Sequence, residues 1–565
     1  MMAAETALSL PPGAAMIVGA CLAAVLRHRA RDAWLLAAPL AVLALVWLVP
    51  AGPALTLSFL DYTLVPLQGG AAGRLFATVF ALMAFAGTLY GLRQARPAEL
   101  ITAQVYAGAA IGVCLSGDLI TLFVHWEVMA LTSMVIIWSR RSLSARRAGL
   151  RYVLVHLLGG VVLMAGIVGH VAATGSVQLG PLALDSLAHW LILAGFLLNA
   201  GAPPLSAWIP DAYPEASPSG TVFLSAFTTK TAVFVLWTSF AGAEILVWVG
   251  VYMIFYGIIY ALLENDMRRI LAYSIVNQVG FMVTGIGIGT EMALNGAAAH
   301  AFTHIIYKAL LLMSAGAVLH MTGRRKCTEL GGLFQSMPLT TVCGIVGALA
   351  ISAFPLTSGF VSKSMISQAA ADEGLALLWY LLAAASAGVF LHAGIKFPWF
   401  VFFHKDSGLR PPDPPRNMRL AMVLFALLCV VLGVFPEALY AILPFPVAYV
   451  PYTADHVVTQ LQLLLFAGLA FFVLLPQMRR TETISLDVDW LYRHAAPRVH
   501  AAIDRVAAAL RAGMRRNLHA WWVTSPSGIW LRRDMVRWLA ARRSIGDFVL
   551  LTTLMLLAYL VLDLF

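Results

Sequence analysis

Residues 300–318 read HAFTHIIYKALLLMSAGAV, an apolar stretch that carries two histidines and one lysine. About 20 such residues suffice for a helix to cross a membrane. His300, His304 and Lys308 are spaced four residues apart, so on an α-helix they fall within about 80° of arc and rise about 12 Å. A buried charge costs about 2.5–3.5 kcal/mol on membrane-insertion scales. The stretch therefore predicts a membrane helix with a functional polar stripe.

The composition of the whole chain indicates a polytopic membrane protein. The 565 residues are 61% hydrophobic and 11% charged, whereas soluble domains are about 45–50% apolar and about 25% charged. So much apolar surface cannot be buried inside a water-soluble fold. The composition excludes a soluble enzyme, a nucleic-acid-binding protein and a secreted disulfide scaffold.

Sixteen apolar segments predict the transmembrane helices of an all-α fold. The segments are residues 12–26, 33–49, 73–92, 99–116, 118–138, 149–172, 186–209, 218–240, 244–263, 272–289, 292–321, 338–369, 374–403, 418–435, 457–476 and 546–564. The first is expected to span the membrane, because the N-terminus lacks the basic start of a cleavable signal peptide.

Basic residues in the loops predict the orientation. Arginines and lysines follow the odd-numbered segments, for example at Arg27, Arg140 and Arg324, and are nearly missing after the even-numbered ones. By the positive-inside rule, the odd-numbered segments end in the cytoplasm, so both termini face outside. We expect a multi-pass protein of the bacterial cytoplasmic (inner) membrane, embedded in its lipid bilayer.

Helix-breaking residues divide the chain into repeats. Pro203 and Pro204 interrupt the seventh segment, and Pro355 and Gly359 interrupt the twelfth. Five segments separate the two breaks, so two five-helix units would run with opposite topology, which is typical of transporters. We expect N-terminal helices, two inverted repeats, further helices, a lateral helix and an anchor helix, at residues 1–98, 99–243, 244–403, 404–480, 481–545 and 546–565.

The predicted lateral helix carries most of the net charge. Residues 490–543 hold eleven arginines against Asp504 and Asp534. Apolar residues such as Val499 and Ile503 recur at helical spacing, which favours a basic amphipathic helix lying along the membrane surface. An ordinary basic loop at anionic headgroups is the alternative.

The sequence has no motif for a metal, a nucleotide or another cofactor. It has no Walker A loop and no GxGxxG after a strand. Its cysteines form no CxxC pair and no cluster with histidine at metal-binding spacing; they are Cys21, Cys114, Cys327, Cys343 and Cys429. We therefore expect no cofactor, and an ion-transporter subunit driven by an ion gradient or a partner rather than an enzyme.

Four charged residues lie inside apolar segments, namely Glu127, Lys230, Lys308 and Lys363. One such charge can snorkel to the membrane surface, but four together indicate an ion path. Histidine and a desolvated lysine can each exchange a proton. Cation binding by neutral histidines is the alternative, but the stripe at 300–308 has no carboxylate to offer Na⁺ hard oxygen ligands. We favour a proton relay.

These residues lie in stretches that resemble the antiporter-like subunits of respiratory complex I, membrane-bound hydrogenases and Mrp-type multisubunit antiporters. The D-type subunits of the Mrp-type Na⁺/H⁺ antiporters are the most similar. The matching stretches are GDLITLFVHWEVMALTS (117–133), PPLSAWIPDAYPEA (203–216), FTTKTAVFVL (227–236), ENDMRRILAYSIVNQVGFM (264–282), HAFTHIIYKALLLMSAGAV (300–318) and ISAFPLTSGFVSKS (351–364).

The resemblance implies a hydrated polar axis along the membrane midplane. It assigns Glu127 to the first half-channel and Lys230 to the link between the two halves. It assigns the stripe at 300–308 to the central relay. It matches Lys363 to the family lysine on the second broken helix. The path then consists of Glu127, Lys230, His300, His304, Lys308 and Lys363.

One residue departs from the family pattern. The family has a lysine five residues before the proline of the first broken helix, where it pairs with the glutamate, and this chain has Asn199 there. An amide cannot carry a charge. His125 and His156 are the nearest candidates to assist Glu127, although a structural histidine bonded to a carbonyl is the alternative for both.

Two main functions fit these observations. The first is the proton-translocating subunit of a multisubunit Na⁺ or other monovalent cation/proton antiporter. The second is a proton-pumping membrane subunit of a complex I-like or hydrogenase redox complex, with the redox centres in partner subunits. A proton-path partner of an inorganic-carbon uptake system and a purely structural subunit are further alternatives. All of these require other membrane subunits as partners, and none involves nucleic acid.

Overall fold

Long apolar helices and one β-hairpin make up the part of the chain that the structure describes. The computed structural model describes residues 10–477, 487–495, 498–499, 501–506 and 508. Within these residues, 11 helices are long and apolar enough to cross a membrane, and three shorter apolar helices accompany them. The predicted multi-pass all-α fold is confirmed.

The helices follow one another with short connections. In chain order they are α1 Pro12–Val25, α2 His28–Leu48, α3 Ala71–Gly91, α4 Pro97–Cys114, α5 Leu119–Trp138, α6 Leu143–Thr174, α7 Leu187–Ala200, α8 Trp208–Ala212, α9 Pro218–Leu224, α10 Thr228–Ser239, α11 Ile245–Leu263, α12 Met267–Ile288, α13 Glu291–Thr322, α14 Pro338–Ile351, α15 Ser358–Asp372, α16 Ala376–Val389, α17 Arg416–Val434, α18 Glu437–Tyr440 and α19 Ala454–Val473.

Fifteen of the sixteen predicted segments are helical. The sixteenth, 546–564, lies outside the described residues, and so does most of the predicted lateral helix at 481–545. Residues 490–508 belong to a second structural unit that begins at Trp490. Its described part contains a π-helical turn at Leu491–Ala495 and α-helical residues at 501–506.

A β-hairpin that the sequence analysis did not predict separates α2 from α3. Strand β1, Gly52–Phe59, pairs antiparallel with strand β2, Tyr62–Gly69. The fully buried carboxylate of Asp118 accepts the N–H of Val65 at 2.8 Å and, as the N-cap of α5, the N–H of Thr121 at 2.7 Å. One carboxylate therefore satisfies an unpaired helix N–H group and fixes the hairpin.

The same backbone frame occurs twice, 148 residues apart. Asp118 caps α5, and Asp266, 148 positions later, caps α12. At the same offset, α6 and α13 each have 32 residues and each end at a left-handed glycine. Both aspartates form an isolated β-bridge, to Gln178 and Lys326 respectively. This correspondence supports the proposed division into repeats at 99–243 and 244–403.

The two predicted helix breaks are present. The chain leaves helical geometry between Ala200 at the end of α7 and Trp208 at the start of α8. The second break separates α14 from α15, where Ala353 and Leu356 adopt left-handed φ angles of 55° and 67°. Such angles cost energy for residues other than glycine and cluster at functional sites.

Two further irregularities were not predicted. The eighth segment is interrupted between α9 and α10, at residues 225–227. After α16 the chain continues as a π-helix at Phe390–Lys396 and again at Trp399–Phe403. Residues 225–227 contain neither glycine nor proline, so no helix breaker marked the first point. At the second point, Gly388 lies near the end of α16 and Pro398 directly precedes Trp399.

An ion-pair network joins the two repeats at one surface of the bundle. Glu215, between α8 and α9, lies 2.9 Å from Arg325, after α13, and 3.5 Å from Arg140, after α5. Arg325 also binds Asp266 at 2.9 Å. The buried guanidinium of Arg268 donates to the carbonyls of the turn at 214–217. The turn that precedes α9 is thus held by groups from both repeats.

These charges act on the carboxyl group of Glu215. Burial opposes its charged form, but a hydrogen bond from Ser144 and the charges of Arg325 and Arg140 outweigh burial and lower its pKa from the ordinary value of 4.5. A carboxyl group with a lowered pKa stabilises the fold above its ordinary pKa. That contribution is lost as the pH falls through the lowered value.

We expect Glu215→Gln to lower the melting temperature of the purified protein at pH 7, because the substitution removes the charge that pairs with two arginines. The cost is on the order of 1 kcal/mol for such a partly exposed network. The difference from the unsubstituted protein shrinks as the pH falls through the lowered pKa of Glu215, since below it the carboxyl group is protonated in both folded and unfolded states. Glu373→Gln, at an exposed position after α15, is the control. Equal melting temperatures at pH 7 would contradict the assignment.

Candidate functional site

The polar stripe of α13 is completely buried. His300, His304 and Lys308 each have 0% exposure. The Lys308 ammonium donates to the hydroxyl of Ser274 on α12 at 2.8 Å. Neither ring nitrogen of His304 has a hydrogen-bond partner among the described residues. The stripe therefore contains one anchored lysine and one histidine whose ring can still accept or donate a proton.

His300 is held by groups on two neighbouring helices. Its Nε2 donates to Oε1 of Gln278 on α12 at 3.1 Å, because an amide oxygen can only accept. Its Nδ1 lies 3.4 Å from the hydroxyl of Ser362 on α15. Tyr307 donates to the same Gln278 oxygen at 3.0 Å. Helices α12 and α15 thus supply the polar walls of the stripe.

The sequence analysis missed these wall residues. Ser274 and Gln278 are spaced four residues apart, so they share one face of α12. The same spacing identified the stripe on α13, and it lies inside the matching stretch at 264–282. A search for polar residues at helical spacing in every apolar segment would have found them.

Lys230 reaches the stripe from the interrupted eighth segment. Its ammonium is fully buried and donates to the carbonyl of Ser225 at 2.7 Å and to the hydroxyl of Thr229 at 3.1 Å. The carbonyl is available because α9 ends at Leu224, and the last carbonyls of a helix have no intrahelical partner. The charge of Lys230 interacts electrostatically with His300, His304 and Lys308.

Lys363 lies at the other end of the stripe, on α15. It is 3% exposed, and its ammonium lies 5.2 Å from the centre of the Phe281 ring, a cation–π geometry. Its charge interacts electrostatically with His300. Lys363 also lines a cavity of about 800 Å³, together with Ser364, Asp372, Asp455 and His456. Because Asp372 and Asp455 are exposed, this cavity connects Lys363 to the surface.

The carboxylate of Glu127 packs against Gly160 of α6. A Cβ atom at Gly160 would lie 2.1 Å from Oε1 of Glu127, so only glycine leaves room for the carboxylate. Neither this oxygen nor Oδ1 of Asn199 has a hydrogen-bond partner within the described residues. The asparagine therefore does not replace the family lysine by a hydrogen bond through these oxygens.

His156 and His125 differ in their position relative to Glu127. His156 precedes Gly160 by one turn on the same face of α6, and Gly160 is the residue that meets the Glu127 carboxylate. The ring of His125 packs instead against Gly112 of α4. His125 and Glu127 are two positions apart on α5, so the two side chains point in different directions. His156, and not His125, therefore shares a helix face with the glycine that Glu127 meets.

The tautomer of His156 follows from its hydrogen bond. Its Nδ1 lies 2.9 Å from the carbonyl of Tyr152, which can only accept, so Nδ1 carries the hydrogen. Nε2 then has a free lone pair, and it is buried with no partner in the described part of the chain. The ring is stacked on Tyr152 at 4.0 Å and meets the edge of Trp208 at 4.5 Å. His156 is positioned to accept a proton.

The two repeats carry different side chains on equivalent positions. At the offset of 148 residues, His156 corresponds to His304 and Gly160 corresponds to Lys308. The second repeat therefore has a lysine where the first has the space that the Glu127 carboxylate fills. The candidate path has one carboxyl group at its first end and only basic groups beyond it.

Other buried carboxylates have structural partners. Glu99, 2% exposed, accepts the hydroxyls of Ser217 and Ser219, both at 2.6 Å. Asp211 forms a bidentate pair with Arg151, with both contacts at 2.7 Å. Glu127 differs, because the residue is only half-buried and its buried Oε1 has no hydrogen-bond partner among the described residues. Unsatisfied buried polar atoms of this kind need a functional or solvent explanation.

The chain is similar to subunits of known cation/proton antiporters. Residues 116–390 match the family described as NADH:quinone oxidoreductase/Mrp antiporter, TM. The D-type Na⁺/H⁺ antiporter subunit of Alkalihalophilus pseudofirmus is 29% identical over 49% of this chain and 59% of its own length. The A/B-type subunit of a probable K⁺/H⁺ antiporter of Rhizobium meliloti is 30% identical over 59% of this chain. This chain spans only 36% of the length of that relative.

Relatives from redox complexes are also similar. The N-type subunit of the NADH-quinone oxidoreductase of Desulforudis audaxviator is 29% identical over 67% of this chain and 82% of its own length. Two solved structures share the fold at 22% identity: a chain of the Mrp complex from a Dietzia species, with a TM-score of 0.67, and a chain of an archaeal membrane-bound sulfane sulfur reductase, with a TM-score of 0.69. They cover 77% and 78% of this chain and 95% and 96% of their own lengths.

The matched region coincides with the candidate path. It begins two residues before Asp118, extends from the end of α4 to the start of the π-helix after α16, and includes each of the six path residues. Residues 116–390 of this chain, which carry the whole candidate path from Glu127 to Lys363, are therefore similar to the NADH:quinone oxidoreductase/Mrp antiporter transmembrane family.

Proposed function

We propose that this protein is the proton-translocating subunit of a multisubunit monovalent cation/proton antiporter. The observation that carries the proposal is the row of fully buried basic groups on α13, continued by Lys230 on one side and by Lys363 on the other. Buried ionisable residues inside a membrane protein mark ion paths. Relatives named as subunits of Na⁺/H⁺ and K⁺/H⁺ antiporters support the same function.

Protons move along this row by exchange between bases. A Lys230 ammonium gives a proton through water to a ring nitrogen of His304, which becomes an imidazolium, and the lysine becomes a neutral amine. The imidazolium passes a proton on to Lys308 or to His300 and returns to neutrality. Like charges close together in a low-dielectric interior repel one another. A proton that arrives at one base therefore favours departure of a proton from the next.

Lys363 releases protons into the cavity at the surface. Its ammonium has no hydrogen-bond acceptor among the described residues, and the cavity beside it is lined by two exposed carboxylates, Asp372 and Asp455. Negative charge at the mouth of a cavity attracts protons leaving a basic interior. We assign the transported cation to partner subunits, because the buried stripe offers no carboxylate ligand to Na⁺.

A proton-pumping subunit of a redox complex is the second candidate. It is favoured by the relative named as a subunit of NADH-quinone oxidoreductase, of which 82% is covered, and by the structural likeness to the archaeal reductase chain. The proteins that co-purify with this chain discriminate between the two. Small membrane subunits alone support the antiporter, whereas subunits with iron–sulfur centres support the redox complex. A single large soluble zinc-binding partner would instead support inorganic-carbon uptake.

The proposed location is the cytoplasmic membrane of a bacterium, with the ion-pair network of Glu215 on the cytoplasmic side. The arginines at the ends of α5 and α13 support this orientation through the positive-inside rule. The hairpin that precedes α3 then lies outside, and α1 begins outside. The C-terminal end of the chain, which the sequence also predicts to be outside, lies beyond the described residues.

Cysteine labelling tests the orientation. In a Cys21→Ser background, which removes the exposed natural cysteine, an impermeant maleimide should modify the Asp61→Cys variant in intact spheroplasts. It should modify the Arg146→Cys variant only in everted vesicles, since Arg146 lies at the start of α6. Both positions are exposed. Labelling with the opposite sidedness would reverse the topology.

The central prediction concerns Lys308. We expect Lys308→Ala to reduce cation/proton exchange at least tenfold in everted membrane vesicles of the native host, because the row loses its central base. Lys405→Ala is the matched control, since Lys405 is an exposed loop lysine. Exchange is measured by the collapse of an imposed pH gradient on addition of Na⁺ or K⁺, per inserted protein. Normal exchange by a well-inserted Lys308→Ala variant would refute the relay.

A further prediction concerns the end of the path near Glu127. We expect Glu127→Gln to reduce cation/proton exchange severely. A carboxyl group can bind and release a transported proton, whereas an amide cannot. Asn199→Lys should shift the pH at which exchange is half-maximal, since it places an ionisable group beside the carboxylate. Glu244→Gln, at an exposed glutamate, is the control.

The pH profiles decide whether this end is active. Superimposable profiles for Glu127→Gln, Asn199→Lys and the unsubstituted protein would mean that no proton passes Glu127. In that case the severe effect of Lys308→Ala would persist, and the path would begin at Lys230.

A further inference from the structure

The π-helix that follows α16 carries two buried ionisable residues that the path described above does not use. His392 is 0% exposed and Lys396 is 3% exposed, and both belong to the π-helical segment Phe390–Lys396. π-Helical turns inside α-helices occur frequently at functional sites, because they re-aim side chains at the expense of regular hydrogen bonding. The location of these two residues calls for a specific explanation.

The hydrogen bonding of His392 leaves one ring nitrogen free. Nδ1 lies 2.8 Å from the carbonyl of Gly388, and because a carbonyl can only accept, Nδ1 carries the hydrogen. Nε2 therefore has an available lone pair. It is buried and has no hydrogen-bond partner among the described residues. An unsatisfied nitrogen in the interior costs about 1–3 kcal/mol, which makes a purely structural histidine an unfavourable choice here.

The charges of three lysines act on the ring. His392 interacts electrostatically with Lys308 on α13, with Lys363 on α15 and with Lys396 on its own segment. Lys308 and Lys363 are the central base and the final base of the path. The ring of His392 thus lies within electrostatic range of both of them while it belongs to a third element.

Lys396 differs from the other two lysines because its ammonium is fully engaged. It donates to the carbonyls of Ala261 at 3.0 Å, Leu262 at 2.5 Å and Glu264 at 2.6 Å. These are unpaired carbonyls at the C-terminal end of α11, where a helix stabilises positive charge. Lys396 is therefore a fixed cation that joins the π-helix to α11 and holds His392 in place.

We infer that His392 is an additional proton carrier of the path, which exchanges protons through Nε2 with Lys308 and Lys363, and that Lys396 is its positioning residue. The inference rests on the proposed proton-translocating function and adds a parallel branch beside the His300 stripe.

The transfer balances without any further reactant. Nε2 accepts a proton that the Lys308 ammonium releases through water, so the ring becomes an imidazolium and the lysine a neutral amine. Nε2 then returns that proton through water to the neutral Lys363 amine, and the ring is neutral again. The hydrogen on Nδ1 stays with the Gly388 carbonyl throughout. The fixed positive charge of Lys396 repels an imidazolium at His392, which favours onward transfer.

The test is the pH profile of exchange for His392→Gln in everted vesicles of the native host. Glutamine can still donate to the Gly388 carbonyl but cannot take up a proton. We expect the rate per inserted protein to fall at least fivefold and the profile to change shape, because one ionisable carrier is removed. His320→Gln, at an exposed histidine near the end of α13, is the control and should leave both rate and profile unchanged.

A structural role would give a different result. Loss of packing alone lowers the rate by the same factor at every pH, so an unchanged profile, at any rate, would overturn the inference. Lys396→Met should move the profile in the same way as His392→Gln, since it displaces the histidine. Lys308→Ala is measured in parallel. If it abolishes exchange while His392→Gln keeps the normal profile, the inference fails and the proposed function stands. If the unsubstituted protein shows no exchange, the proposed function fails.

Discussion

An ammonium group in an apolar interior costs several kcal/mol unless polar atoms receive its hydrogens. For two of the four buried lysines in the described part of the chain, Lys230 and Lys396, the ends of helices supply those atoms. Lys230 binds a carbonyl that is free only because α9 stops at Leu224, and Lys396 binds three carbonyls at the end of α11. Lys308 binds a hydroxyl on the neighbouring helix α12. The helix interruptions and the buried charges therefore depend on each other.

The two repeats share the same backbone arrangement but place different ionisable side chains in the path. Asp118 and Asp266 begin equivalent helices, and α6 and α13 have the same length and the same glycine end. The positions that point into the path are not equivalent in chemistry, because Gly160 stands where the second repeat has Lys308. A glycine makes room for the carboxylate of Glu127. The same backbone thus holds an acidic group in one repeat and a basic group in the other.

Most helices and the polar stripe could be predicted from the sequence, because hydropathy and residue spacing can be read along the chain. Apolar length identified fifteen described helices, and the four-residue spacing identified the stripe on α13. The same information could not separate His156 from His125, since both are histidines on helices near Glu127. That choice depends on which helix the carboxylate faces. The β-hairpin was missed, although Pro50 and Pro53 mark its start, because only β2 shows alternating burial.

The sequence by itself determined the membrane location, the order of the fifteen described apolar segments, the two proline-associated breaks and the identity of the buried charges. These follow from hydropathy, from the conformational limits of proline and from the cost of burying charge, which act residue by residue. The tertiary structure decided which polar atoms Lys230, Lys308 and Lys396 meet, that Glu127 contacts Gly160 and that His392 lies within electrostatic range of Lys308 and Lys363. Those contacts join residues far apart in the chain, and only the packing of helices against one another brings them together.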